Sequence, residues 1–147
     1  MPGTRELVER FYELFNSGNL DAVRECFSDD VVNVDPSGSL KGWDAFRQYI
    51  GVFKTASPDS KLNVKTLIDG GDVVATEGTF TGTFTNPLPT PQGELQPTGK
   101  SFELPFVEVN EGQGGRITSH RVYYDQMTFL TALGAGPPQD APSASDP

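Results

Sequence analysis

The chain has 147 residues, 35% hydrophobic and 21% charged, which is typical of one domain with a single core. Its 20 acidic against 11 basic residues give a net charge of −9. Nucleic acids and anionic membrane surfaces are bound through Lys/Arg patches, so neither is an expected partner. The N-terminus lacks a signal-peptide pattern, and the single cysteine, Cys26, allows no intramolecular disulfide. Together these features predict a cytoplasmic protein.

Helical periodicity dominates the first third of the chain. Apolar residues recur at helical spacing over 4–15, in a short segment over 22–27, and again over 42–53. Between the last two, residues 31–35 have the composition of a short strand that ends in an Asp-Pro-Ser-Gly turn. The pattern therefore predicts three N-terminal helices with one short strand among them.

The apolar period changes from 3.6 to 2 after these helices, as it does in strands. Strands are predicted over 62–68, 73–85, 100–109 and 116–125. Glycine-rich turns join the first pair and the last pair, which favours antiparallel hairpins. The proline-rich segment 86–99 is predicted to be a long loop.

The predicted fold class is α+β, with a curved antiparallel sheet packed on three N-terminal helices. A last short helix over 127–133 closes a domain of residues 1–134. Residues 135–147 are rich in Pro, Ala, Ser and Asp, and are predicted to be a disordered tail. A sheet that curls around helices leaves an apolar cavity between the layers, the usual place for a small ligand.

Carboxylates are the main candidates for chemistry. One histidine and one cysteine cannot build a common zinc site, and no nucleotide-binding motif occurs, so no metal and no cofactor are expected. Asp125 ends the last strand, where it is either an inward acid/base group or the N-cap of the following helix. Asp35 is either a base at a strand end or the first residue of its turn.

The last strand has two faces, and one of them must point toward the interior. A period of 2 places Asp125 on one face with Ser119, Arg121 and Tyr123, and His120 on the other face with Val122 and Tyr124. Periodicity alone does not decide which face points inward.

Three segments resemble a known superfamily: FYELFNSGNLDAVRECFSDDVVNVDPSG (11–38), GWDAFRQYI (42–50) and GRITSHRVYYDQMTFLTALG (115–134). They are similar to the nuclear transport factor 2-like superfamily and, within it, to the SnoaL-like polyketide cyclases and ester-cyclase-type proteins. The resemblance spans 4–134 and implies a cone-shaped fold and a homodimer. Proteins with this fold include enzymes, binding modules and transport factors, so the resemblance indicates the fold but does not specify the reaction.

The resemblance also implies roles for individual residues. Asp125 matches the acid/base of the cyclases, whose ring-closing aldol chemistry needs no metal or cofactor. Asp35 matches the general base of ketosteroid isomerases, but the two oxyanion donors of those enzymes fall on Phe11 and Phe106, which cannot donate. Arg121, with Asp125 and Asn33, matches only part of the relay of limonene-type epoxide hydrolases.

We therefore expect a cofactor-independent enzyme acting by acid/base chemistry on a hydrophobic carbonyl or polyketide-like small molecule. Asp125 and Asp35 are the predicted catalytic residues. The predicted substrate-binding residues are Tyr12, Asn33, Trp43, Tyr49, Phe106, Arg121 and Tyr123. One alternative is a non-catalytic small-molecule-binding or dimerisation module of the same fold. Another is an epoxide hydrolase-like or isomerase-like enzyme.

Overall fold

The computed structural model describes residues 1–134. The predicted disordered tail, 135–147, lies outside the described residues. The elements in chain order are α1 (Thr4–Asn16), a 3-10 helix (Asp21–Cys26), β1 (Phe27–Asp35), β2 (Gly38–Lys41), α2 (Trp43–Ala56), β3 (Lys61–Asp69), β4 (Val73–Thr83), β5 (Leu88–Thr90), β6 (Gly93–Leu95), β7 (Ser101–Gln113), β8 (Arg116–Tyr123) and α3 (Gln126–Ala132).

Six of the strands form one sheet in the order β2-β1-β8-β7-β4-β3. The predicted α+β architecture is confirmed. The sheet is mixed, however, because β1 runs parallel to β8, whereas all other neighbouring strands of the sheet are antiparallel. The two parallel strands come from opposite ends of the domain, so no hairpin turn sets their relative direction. Register shifts in β3 and between β7 and β8 bend the sheet around the helices.

Two predicted elements differ in detail. The segment over 22–27 forms a 3-10 helix and the start of β1 instead of an α-helix. The segment 86–99 is not wholly a loop, since β5 and β6 pair as a small separate ribbon with Gly93 at positive φ in its turn. Proline at an edge strand leaves no ladder donor missing, so Pro89 in β5 does not prevent this pairing.

The core lies between the sheet and the helices. Phe11 on α1 packs edge-on against Phe27, and the Phe27 ring lies 4.6 Å from that of Phe46 on α2. Such aromatic pairs add stabilisation beyond the area they bury. The helices of residues 1–134 are all too short or too polar to cross a bilayer.

Along β7 the buried side chains change from apolar to polar. Phe102, Leu104 and Phe106 alternate with exposed residues and are buried. The same period continues to Glu108 and Asn110, which are also buried. This row fixes the face of the sheet on which the site described next is built.

Candidate functional site

An aromatic pocket opens between the concave face of the sheet and the helices. The volume of this cavity is about 70 Å³. Its apolar walls are Phe11, Phe15, Ile50, Phe53, Leu62, Phe80, Leu104, Phe106, Val122 and Phe129. Among residues 1–134, four polar side chains line it: Tyr49, Glu108, His120 and Tyr124. Few polar groups in a mostly apolar pocket are typical of a small-molecule site.

Two of these polar groups form a buried pair. Glu108 is 4% exposed and His120 is 2% exposed, and the His120 Nε2 lies 3.7 Å from the Glu108 Oε2. The Tyr12 hydroxyl donates to the other oxygen, Oε1, over 2.7 Å. Strand pairing sets this geometry, since His120 on β8 lies opposite Asn110 on β7, two residues from Glu108.

The other ring nitrogen of His120 is held by Asn110. The His120 Nδ1 lies 2.7 Å from the Asn110 Oδ1. An amide oxygen only accepts hydrogen bonds, so Nδ1 carries the proton and Nε2 is directed toward Glu108. Because Nδ1 holds the proton of the neutral ring, Nε2 is its proton-accepting nitrogen.

Burial controls the electrostatics of this pair. Desolvation lowers the pKa of His120, and the nearby carboxylates of Glu108 and Asp35 offset this only in part. Burial, reinforced by Glu108, raises the pKa of Tyr12 well above its usual range, so Tyr12 stays a donor. A largely neutral imidazole beside a carboxyl group in an apolar pocket is suited to proton transfer.

Asn33 lies beside this pair but not in the pocket wall. It faces His120 across the parallel β1–β8 ladder and is fully buried. Within residues 1–134 neither atom of its side-chain amide has a hydrogen-bond partner. A buried amide without partners is costly, so this position is suited to a water molecule or to a polar ligand atom.

Two tyrosines line the pocket wall and lie near Asp35. Tyr49 comes from α2, and Tyr124 follows β8. Burial, then Tyr124 and Asp35, raises the pKa of Tyr49, while burial and Asp35 raise the pKa of Tyr124 to about 12. Asp35 itself does not line the pocket, and its Oδ1 accepts from Ser37 and Gly38 in the predicted turn.

The predicted binding residues do not share one location. Tyr49 and Phe106 line the pocket. Tyr12 lies one layer behind it, bonded to Glu108. Trp43 does not contact the pocket, because it packs in the core against Phe27 and Phe46.

Arg121 and Tyr123 lie on the outer face of the sheet, contrary to the expectation that they bind substrate. Arg121 pairs there with Glu111 and Ser119, and Tyr123 is 53% exposed. The reason is the strand period: His120 and Val122 are buried and face inward, so Arg121 and Tyr123, which alternate with them, face outward.

Asp125 is an exposed helix cap and does not face the pocket. Its side chain accepts hydrogen bonds from the backbone of Met127 and Thr128 and from the Thr128 hydroxyl. The Thr128 side chain, followed by the two backbone groups, lowers the pKa of Asp125. Of the two interpretations of its sequence position, the structure shows the cap. The inward orientation on which its catalytic role depended is wrong.

The sequence interpretation named neither Glu108 nor His120 among the site residues, although both line the pocket. A signal was present in β7, where the alternation of Phe102, Leu104 and Phe106 extends to Glu108. A glutamate in a run of inward positions marks a buried carboxyl group. Among residues 1–134, no group of three His, Cys, Asp or Glu side chains could hold a metal ion.

This combination of a cone-shaped α+β fold and an aromatic pocket defines a class of small-molecule-binding domains. The model of the SnoaL-like polyketide cyclase family matches residues 5–133. The chain therefore belongs to the SnoaL-like polyketide cyclase family. A comparison with curated proteins finds no match.

Solved structures share the fold. A proposed SnoaL-like polyketide cyclase from a Jannaschia species is 21% identical, with a TM-score of 0.79 over 91% of this chain and 93% of that one. IdmH from Streptomyces antibioticus, a proposed polyketide cyclase, is 27% identical, with a TM-score of 0.70 over 89% and 98%. A Catenulispora acidiphila protein with a ketosteroid isomerase-like fold, bound to trimethylamine, is 21% identical, with a TM-score of 0.72 over 90% and 94%.

Removing the Asp125 cap should weaken α3 without changing the pocket. Asp125→Ala leaves the Met127 and Thr128 amides unpaired, so we expect the Tm to fall by a few degrees. Asp125→Asn keeps a capping oxygen and should leave the Tm nearly unchanged. Thermal unfolding monitored by circular dichroism measures both. Equal Tm losses in the two variants would contradict the capping role.

The buried His120 should make stability depend on pH. An unfolded histidine takes up a proton near pH 6.5, whereas burial lowers the pKa of His120 in the folded state. The free energy of unfolding should therefore fall as the pH drops below about 6.5, by at most ~1.4 kcal/mol per pH unit. Urea unfolding from about pH 7.5 to 5.5 measures this slope. The slope should be shallower in His120→Gln, and an unchanged slope would contradict the assignment.

Proposed function

We propose that this chain is a cofactor-independent enzyme that transfers protons on a hydrophobic carbonyl compound, in the manner of an aldol-type cyclase. The observation that carries the proposal is the buried His120–Glu108 pair at an aromatic pocket. Family membership supports the reaction class. The apolar walls support a hydrophobic substrate and exclude water from a reactive enolate.

In the proposed reaction one proton leaves the substrate and is later returned to it. The His120–Glu108 pair removes a proton from the carbon next to a carbonyl group. The resulting enolate carbon forms a bond with a second carbonyl carbon of the same molecule, whose oxygen becomes an alkoxide. The pair then returns its proton to that alkoxide, so the product is a cyclic isomer of the substrate and no external reagent is consumed.

The remaining residues support this pair. The Tyr12 hydroxyl donates to Glu108 and leaves its second oxygen directed toward His120. Asn110 fixes the protonated nitrogen of His120. Asp35 is near enough to affect the pKa of His120 and is proposed to stabilise its protonated form during turnover.

We also propose that the chain forms a homodimer through the outer face of the sheet. Val107 and Tyr123 are direct neighbours on β7 and β8, and both are exposed. Adjacent exposed apolar side chains on a sheet are suited to pairing with a second copy.

The function is tested by separating binding from turnover. A panel of aromatic and polyketide-like diketones is screened for binding. The same panel is screened for conversion to an isomer, that is, to a product with the same mass as the substrate. His120→Gln and Glu108→Gln keep the size of each side chain but remove its acid/base capacity. We expect turnover to fall by about 100-fold or more in each, with binding retained.

Asp125→Asn is the matched control, because it keeps the cap and lies outside the pocket. Turnover in this variant should equal that of the unmodified protein. Loss of turnover in Asp125→Asn but not in His120→Gln would return the acid/base role to Asp125. Saturable binding without turnover of any bound diketone would favour the non-catalytic binding module.

A further inference from the structure

The pocket is too small for the ligand that the proposed function requires. Its volume is about 70 Å³. Pockets that hold drug-sized molecules measure about 300–1,000 Å³. A polyketide-like ketone can therefore enter only if part of the wall moves. The element that moves must both line the pocket and be weakly anchored to the rest of the domain.

Helix α3 contributes Phe129, whose ring forms one end of the pocket. This ring is 5% exposed and lies 5.6 Å from that of Phe102, at the start of β7. It also lies 6.1 Å from the ring of Phe53 on α2. Glu108 is six residues after Phe102 on β7, which is about 20 Å of extended strand. Phe129 therefore covers the end of the pocket that is far from Glu108.

Few buried contacts hold α3 in place. Among the described residues, this helix buries one of its own side chains, that of Phe129, whereas α1 buries seven and α2 four. Asp125 caps its first turn. After its last turn the Leu133 side chain is buried, and the Leu133 carbonyl oxygen accepts from the Thr98 hydroxyl over 2.5 Å. An element with so few buried contacts opens at a lower free-energy cost than the core does.

Core packing closes the other end of the pocket. The rings of Phe11 and Phe46 lie 5.8 Å and 5.1 Å from the His120 ring. Both phenylalanines are fully buried and pack against Phe27. Moving either of them would open the central aromatic cluster of the domain, so the easier route for a ligand passes α3.

We propose that Phe129 is the residue that limits ligand size in this pocket, and that α3 moves outward to admit the ligand. The helix pivots where the chain leaves β8, at residues 124–125, and the contact between Thr98 and Leu133 is released. This inference rests on the proposed function only for the size of the ligand, a ketone with a hydrophobic body of two or more rings.

The first test locks α3 with a disulfide. A Cβ atom placed at Gly134 lies 3.3 Å from the methyl carbon of Thr98, so a Thr98→Cys/Gly134→Cys variant has its two thiols within disulfide range. Stopped-flow fluorescence measures the association of 2-acetylnaphthalene with the oxidised variant and with the same variant reduced by dithiothreitol. We expect the association rate constant to be about 10-fold lower, or less, in the oxidised form.

The reduced form is the matched control for the lock. Gly134 has a positive φ, and both forms of the variant carry the same backbone strain there. Peptide mapping identifies the 98–134 bond, since the native Cys26 is buried at the end of the 3-10 helix.

The second test removes the Phe129 ring. Equilibrium titrations compare 2-acetylnaphthalene with 2-acetylanthracene, which is longer by one fused ring. Phe129→Ala leaves an apolar cavity of the kind that binds aromatic molecules. The ratio of the two Kd values should therefore shift by about 10-fold toward the three-ring ketone. Met127→Ala is the control, because Met127 is on the same helix, is 53% exposed and does not line the pocket.

Equal association rates in the oxidised and reduced forms would overturn the inference. An unchanged Kd ratio in Phe129→Ala, an equal shift in Met127→Ala, or the failure of both probes to bind the unmodified protein would overturn it as well. The disulfide variant keeps Phe129, so it gives a result even where Phe129→Ala destabilises the domain. A failure of the proposed proton transfer would appear instead as unchanged turnover in His120→Gln, which leaves these association rates intact.

Discussion

The structure depends on keeping a titratable pair, Glu108 and His120, inside an interior made largely of phenylalanine. Taking these groups out of water is costly unless each polar atom finds a partner. Tyr12 and Asn110 supply the partners through hydrogen bonds of 2.7 Å each. Removing either partner would leave a buried polar group uncompensated, which is why the pair and its supports behave as one unit.

Strand pairing makes this unit possible. His120 is placed by β8, Glu108 and Asn110 by β7, and the two strands pair in antiparallel register. The aromatic rings of α1 and α2 cover the pair from the opposite side, with Phe46 and Phe11 edge-on to the imidazole. The same layers that stabilise the fold therefore shield the site from water.

Much of the fold could be predicted from local patterns, but the orientation of the last strand could not. Helical spacing and Gly-rich turns are local signals, so α1, α2 and the hairpins could be predicted from the sequence. The parallel pairing of β1 with β8 joins segments far apart in sequence. Each face of β8 carries both polar and apolar residues, so the sequence alone does not show whether Asp125 or His120 points inward. Only the register against β7, where Phe106 leads to Glu108, resolves the choice.

The proposed function requires that ligand chemistry occurs at His120 and Glu108 inside the pocket. A crystal structure of the Glu108→Gln variant soaked with a diketone that the protein binds tests this most directly. We expect the ligand to lie among the aromatic walls, with a carbonyl oxygen or its neighbouring carbon in contact with His120 and the residue at position 108. Ligand bound at Asp125 on the protein surface, with the aromatic pocket empty, would contradict it.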